Sequence, residues 1–351
     1  MQRRKLAKVV GISLLVTFLI VAMAVGASAK TSSDKVFHWK YFAMINLKVY
    51  AYGPAFYAMC DEIKEKTNGR LQIDVYLPGE VPYSPKDYLR AIKEGATEMA
   101  GCYPGYFSAT QPVLVVTNLP MLMPPDSALV EKVYDDIKEE LFQPIFAKWD
   151  GVSVAEWWFP FHAIGADVPI TNWDSLKGTK VRVTGKEPAD FIKMLGGVPV
   201  TVSWSEVPTA VMTGVIDAVQ TSGDGFWSAK LWEYDKIKYI NLLEIASMPC
   251  SLIVSKSALA ELPDDVREIF LETTKKYQAV MRDKQWMFDS YCYRVGIVDY
   301  GVNVVAPSKE FRAEMVAKAK EEVWGPWAKR AGSEGQAALD LVLKKIEEHS
   351  K

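Results

Sequence analysis

In YLRAIKEGATEMAGC (88–102) and VPTAVMTGVIDAVQT (207–221), Ala91 falls on Ala210, Gly95 on Gly214 and Glu98 on Asp217, a constant offset of 119 residues. Each segment reads as a helix stopped by glycine, then an acidic residue opening a strand. Independent αβ turns also use glycine, so the match alone does not establish kinship. Its setting does more. Strand patterns at 35–42, 71–77 and 97–102 alternate with helical ones at 52–67 and 85–94. The order returns with strands at 179–184, 198–202 and 215–221 and helices at 188–195, begun by Pro188 and followed by Gly196, and at 206–213. Such alternation predicts mostly parallel sheets in two α/β lobes of related topology.

After Pro263, Val266, Ile269, Phe270, Thr273, Tyr277, Val280 and Met281 recur at three- and four-residue spacing, one apolar stripe on a helix of over 25 residues. YGVNVVAP reads as a further strand, and helices fill most of 308–348.

The beginning of the chain points to export. Arg3, Arg4, Lys5 and Lys8 precede an uncharged run from Val9 to Ala29, which ends in the small-x-small triplet Ala27-Ser28-Ala29. A run of this length also suits a membrane anchor, but its outer half is mostly Ala, Val, Gly and Ser, which favours cleavage after Ala29. Lys30 follows, not the cysteine of a lipid-anchored form. Removing residues 1–29 with their four cations leaves 322 residues and takes the formal net charge from −2 to −6. An acidic chain without a basic block is no candidate for nucleic acid. Export permits disulfides. Cys60, Cys102, Cys250 and Cys292 show no C-x-x-C spacing, so they read as small buried side chains or, for one pair, a Cys102–Cys250 bridge.

Recognisable catalytic chemistry is missing from the sequence. His38, His162 and His349 have no partner at metal-ligand spacing, and H-E-x-x-H, G-x-S-x-G and the Walker A pattern do not occur. GDG at 223–225 lacks the other glycines of a dinucleotide loop and reads as a turn. No metal, cofactor or nucleophile is therefore expected.

GTKVRVTG…LGGVPVTVSWSEVPTAVMTGVIDA resembles the signature of the solute-binding proteins of TRAP transporters, the tripartite ATP-independent periplasmic family that includes the C4-dicarboxylate-binding proteins. KTNGRLQIDVYLPGEV and AIKEGATEMA resemble its first lobe, and YDKIKYI and LPDDVREIF its closing segments. The resemblance implies a two-lobed periplasmic binding protein with a cleft, closing on a small organic acid that it delivers to small and large membrane permease subunits. It places lobe I at 30–155 plus about 246–265, and lobe II at 156–245 plus about 295–310. A spanning helix falls at 263–293 and C-terminal helices at 308–351. A monomer is the default.

The family's hallmark arginine, in K-x-R, falls on Arg182 and pairs with the ligand carboxylate. Trp204 takes the position of an aromatic that packs beside the ligand. Pro208 departs from the usual Tyr but still fits a first turn capped by Ser205. Thr221, with Ser222 next, stands where an Asn often binds the carboxylate. Many members carry a second arginine before VPIT; counting back from Pro169 reaches Phe161, beside His162.

The residues themselves leave Arg182 two roles, a structural ion pair or a hand for an anion. Its strand side chain must snorkel, pair, or reach the sheet's C-terminal edge, where open α/β sheets bind ligands. Gly185 fits a turn there with close ligand approach. Among the second-lobe rings, Trp158 and Trp232 read as core, while Trp157, Phe161 and Trp227 lie near strand ends and join the candidate site. Tyr41 and Tyr103 follow first-lobe strands and join it too, whereas Tyr106 reads as loop packing. Flat rings favour a monocarboxylate with an aromatic or apolar body, such as an indole or aryl acid or a 2-oxo acid. A sugar acid, a C4-dicarboxylate or an amino-acid derivative are the rival ligands. An exported enzyme or a sensory binding protein on the same fold are rival classes.

Overall fold

The computed structural model describes residues 35–351, the side chains of 296–298 excepted, so the expected export segment 1–29 lies outside the described residues. No helix among them is long and apolar enough to cross a membrane. The compact unit His38–Lys351 carries two sheets. The strands in chain order are β1 (Phe37–Phe42), β2 (Leu71–Tyr76), β3 (Met99–Cys102), β4 (Gly151–Phe159), β5 (Ala163–Ala166), β6 (Lys180–Val183), β7 (Val198–Thr201), β8 (Ala218–Thr221), β9 (Tyr239–Asn241), β10 (Met248–Ser255) and β11 (Asn303–Val305). One sheet runs β2-β1-β3-β10-β4, the other β11-β9-β5-β8-β6-β7.

Each sheet thus contains one three-strand unit with its first strand in the middle, β2-β1-β3 and β7-β6-β8. Parallel pairing holds β1 to β3 and β6 to both β7 and β8, while β10 and β5 run antiparallel to their neighbours, so both sheets are mixed. The repeat seen in the sequence explains the shared register. Gly95 and Gly214 adopt left-handed φ of 70° and 72°, a conformation that glycine takes without Cβ strain. Glu98 then accepts the Lys40 N–H at 2.7 Å, and Asp217 the Lys180 N–H at 3.3 Å. In both lobes the acid sits one residue before the first paired position, Met99 against Tyr41 or Ala218 against Val181. The same carboxylate pin therefore sets the same strand alignment twice.

The helix after Pro263 runs from Asp264 to Tyr300 and packs on β4 and the helix Gly53–Lys66 in one lobe, and on the helix Gly223–Ser228 in the other. Its first half buries Val266, Phe270, Thr273 and Met281, as the stripe predicts. Its second half buries Gln285 and Asp289, which hydropathy alone would assign to solvent. The C-terminal helices Lys309–Ala319 and Gly325–His349, the latter broken at Gly332, make a second brace, from the helix Lys186–Met194 to the helix Ser127–Leu141.

Packing bears on three local readings. All four cysteines are buried and free. Cys102 lies opposite Ser251 in the β3–β10 ladder, so strand alternation turns Cys250 to the other face and forbids the bridge. Ser203, not Ser205, caps the turn before the helix Val207–Met212, through a capping box with Glu206, and Pro208 sits in that helix's first turn. Gly185 has an extended backbone and caps the helix Lys186–Met194, with nothing nearer than 3.8 Å to where a Cβ would stand.

Candidate functional site

The C-terminal ends of the parallel strands converge on one pocket with about 480 Å³ of space between its walls, part of it open to solvent. Met44 and Ile45 follow β1, Tyr103 follows β3, Thr184 follows β6, and Thr221 ends β8 with Ser222 next to it. Trp204 lies beyond β7 and Phe159 ends β4. β5 runs antiparallel to β8, with Ala163 opposite Thr221, so its beginning lies at the same edge and brings in His162. Tyr50 and Tyr106 complete the lining from first-lobe loops.

Arg182 is 4% exposed. Its Nε donates to the Val202 carbonyl at 3.1 Å and Nη1 to the Gln220 carbonyl at 3.4 Å, and the guanidinium lies 5.0 Å from the centre of the Trp204 ring. Two carbonyls fix its orientation without neutralising it. Among the described residues no carboxylate stands within ion-pair distance of it, and no Asp or Glu lines the pocket. Burial pulls its pKa down from the ordinary arginine value, which measures the cost of holding a cation out of water. By contrast, half-buried Arg282 in the long helix meets Glu131 at 3.3 Å, Asp135 at 3.5 Å and Glu156 at 3.8 Å and lies over Trp158, a structural network.

His162 is buried, and its Nδ1 has no hydrogen-bond partner among the described residues. Burial first, and the Arg182 charge second, push its pKa down to about 3, so the imidazole is neutral at neutral pH. Its backbone exchanges hydrogen bonds with Ile245 and Ala246, both 3.0 Å, where two crossing segments between the lobes lie side by side. Burial likewise raises the pKa of Tyr50, Tyr103 and Tyr106, which stay as neutral phenols. The Tyr103 hydroxyl donates to the Met248 sulfur. Ser222 gives its hydroxyl proton to Asp224.

Of the candidate residues, Arg182, Trp204, Thr221, Ser222 and Tyr103 meet in the pocket. Four others do not line it. Trp157 is fully buried against Tyr52, with ring centres 5.0 Å apart, inside the first-lobe core. Tyr41 packs on Phe56 at 4.3 Å behind β1. Phe161 turns to Trp286 of the long helix at 6.0 Å, and its neighbour His162 takes the pocket place. Trp227 packs among Trp232, Phe288 and Tyr291 on the far side of its helix. Tyr106 lines the pocket and is no mere loop filler. Tyr50 and Phe159 escaped the reading of the sequence, although Phe159 at the end of a strand carried a usable signal. Trp158 and Trp232 are core, as read.

Residues 43–329 match the family described as bacterial extracellular solute-binding protein, family 7. A solute-binding protein of Chromohalobacter salexigens is 26% identical over 90% of this chain and 92% of its own. Among solved structures, an extracytoplasmic solute receptor of Bordetella pertussis, described as binding pyroglutamic acid, superposes with a TM-score of 0.80 at 20% identity, covering 88% of this chain and all of the other. A TRAP periplasmic solute-binding protein of Chromohalobacter salexigens with bound D-glucuronate gives 0.78 at 22% identity, over 88% and 99%. At these identities the superpositions establish the shared two-lobed fold.

Proposed function

The chain belongs to the bacterial extracellular solute-binding proteins of family 7, the periplasmic receptors of TRAP transporters, and from that membership we propose that it captures a compact monocarboxylate with a flat body and hands it to a membrane permease. Receptors of this family bind small organic acids for transport and are not enzymes. The finer reading rests on one observation: a single buried guanidinium without an acidic partner, in a pocket that offers five aromatic rings and no carboxylate. A planar guanidinium grips a carboxylate through two parallel hydrogen bonds, at a geometry that lysine cannot match. Thr221 and the neutral His162 stand beside it to complete a polar end. Tyr50, Tyr103, Tyr106, Phe159 and Trp204 enclose the rest.

The missing second cation argues against two carboxylates, because the second would be buried without a partner. Pyroglutamate, which the Bordetella receptor is described as binding, has the proposed shape: one carboxylate on a small flat ring. A sugar acid such as the glucuronate of the Chromohalobacter structure is the second reading, favoured by the three tyrosine hydroxyls near the rings.

Export through a segment cleaved after Ala29 is part of the proposal, as is action as a monomer. Thermal-shift screening of organic acids followed by calorimetry tests the ligand class. Stabilisation by cyclic or aryl monocarboxylates is expected; stabilisation only by dicarboxylates or sugar acids would overturn the flat-body reading.

A further inference from the structure

The GDG segment, which looked like a plain turn, opens the helix Gly223–Ser228 directly behind the pocket. Asp224 is fully buried there. One carboxylate oxygen accepts from the Ser222 hydroxyl and the other from Gln285 Nε2 of the long helix, at 2.8 Å. Asp289, one helical turn further along, accepts the Gly223 N–H at 2.5 Å. Both glycines permit this closeness. A Cβ on Gly223 would lie 2.7 Å from the Asp289 main-chain oxygen, and one on Gly225 would lie 2.0 Å from Thr221 Oγ1.

A serine hydroxyl has one proton and two lone pairs. Ser222 lines the pocket, and its proton is committed to Asp224. Only its lone pairs remain for a ligand. The ionisable groups within electrostatic reach of Asp224 are Asp289, Cys292 and Tyr293 of the long helix, Tyr50 and Tyr52 of the first lobe, and Cys250 of β10. None is a cation, and burial raises the pKa of both acids, with Asp224 also repelling Asp289. Asp224, with a donor on each oxygen, remains the acceptor that orients Ser222.

We propose that Asp224 is a positioning residue that holds Ser222 as a hydrogen-bond acceptor in the pocket, so that the site selects acids carrying their own N–H or O–H donor near the carboxylate. The inference rests on the carboxylate reading and narrows it. Thr221 has the complementary part. Its hydroxyl makes no hydrogen bond among the described residues, so its proton is free for a carboxylate oxygen. An acid that brings no donor leaves the Ser222 lone pairs dry and unpaired, which penalises binding.

Calorimetry on the mature protein with matched acids tests this. One pair is pyroglutamate and 3-oxocyclopentanecarboxylate, in which a methylene replaces the ring N–H. The other is mandelate and its O-methyl ether. The donor-bearing member of each binding pair should win by roughly 10- to 100-fold. Ser222→Ala should reduce that ratio to below about threefold while leaving the fold intact, and Asp224→Ala should do the same. Should Asp224→Ala fail to fold, Ser222→Ala decides. Equal affinity within a pair in the wild-type protein, or a ratio that survives Ser222→Ala, overturns the inference and leaves the carboxylate reading standing. A ratio lost in Ser222→Ala but kept in folded Asp224→Ala removes Asp224 from the mechanism. If no acid binds at all, the carboxylate reading falls, and this inference with it.

Discussion

Replacing Arg182 separates a ligand hand from a structural cation. In the ligand-free protein, Arg182→Met removes two hydrogen bonds to carbonyls, at Val202 and Gln220, worth about 1 kcal/mol each. It also removes a cation held out of water with no counter-charge, whose desolvation costs several kcal/mol. The two effects oppose, so ligand-free stability should change by no more than about 1–2 kcal/mol, in either direction. Binding should respond differently. Stripping one partner from a desolvated pair costs about 3–5 kcal/mol, or roughly 150- to 5,000-fold in Kd. Arg182→Lys keeps the charge but loses the fork and should fall between the wild type and Arg182→Met. Urea melts of the ligand-free proteins and calorimetry with the best acid from the screen measure both quantities. A purely structural cation, held by its two carbonyls, predicts the reverse pattern, a large loss of stability with affinity within about threefold of wild type. That result would refute the assignment.

Trp204→Ala removes the ring 5.0 Å from the Arg182 guanidinium and should weaken acid binding by about 3- to 30-fold, with partial recovery in Trp204→Phe; calorimetry reads both. His162 has a folded pKa near 3, below its ordinary value of 6.5, so between those pH values the unfolded chain binds a proton that the folded protein refuses. Its contribution therefore makes stability rise with pH across that window and level off above it, and His162→Gln should flatten this limb in urea melts at pH 5 and 7. Gly95→Ala and Gly214→Ala each force a left-handed alanine and should cost about 1 kcal/mol by urea denaturation while leaving Kd unchanged.

The lobes were legible because their signals are local. The repeated glycine and acid act within a single αβ turn, and the K-x-R arginine is a polar side chain in a strand whose neighbours Val181 and Val183 are buried. What escaped depends on pairing between distant segments. His162 rather than Phe161 reaches the pocket because β5 joins β8 antiparallel with Ala163 opposite Thr221, and a slip of one residue exchanges the two faces. Tyr50 and Tyr106 arrive on loops whose course no periodicity encodes. Gln285 and Asp289 looked solvated because nothing in the helical pattern announces that Gly223 and Asp224 will meet them. The tryptophans misled for a related reason. Their crowding in the expected second lobe suggested a ring-lined cavity, yet Trp157 and Trp227 join Trp158 and Trp232 in the core and on the long helix. Three of the five pocket rings are tyrosines instead. A tyrosine offers the same flat face with a hydroxyl at its edge. Ring identity in the pocket therefore supports a flat ligand with polar atoms on its rim, where the count of rings along the sequence had supported an apolar one.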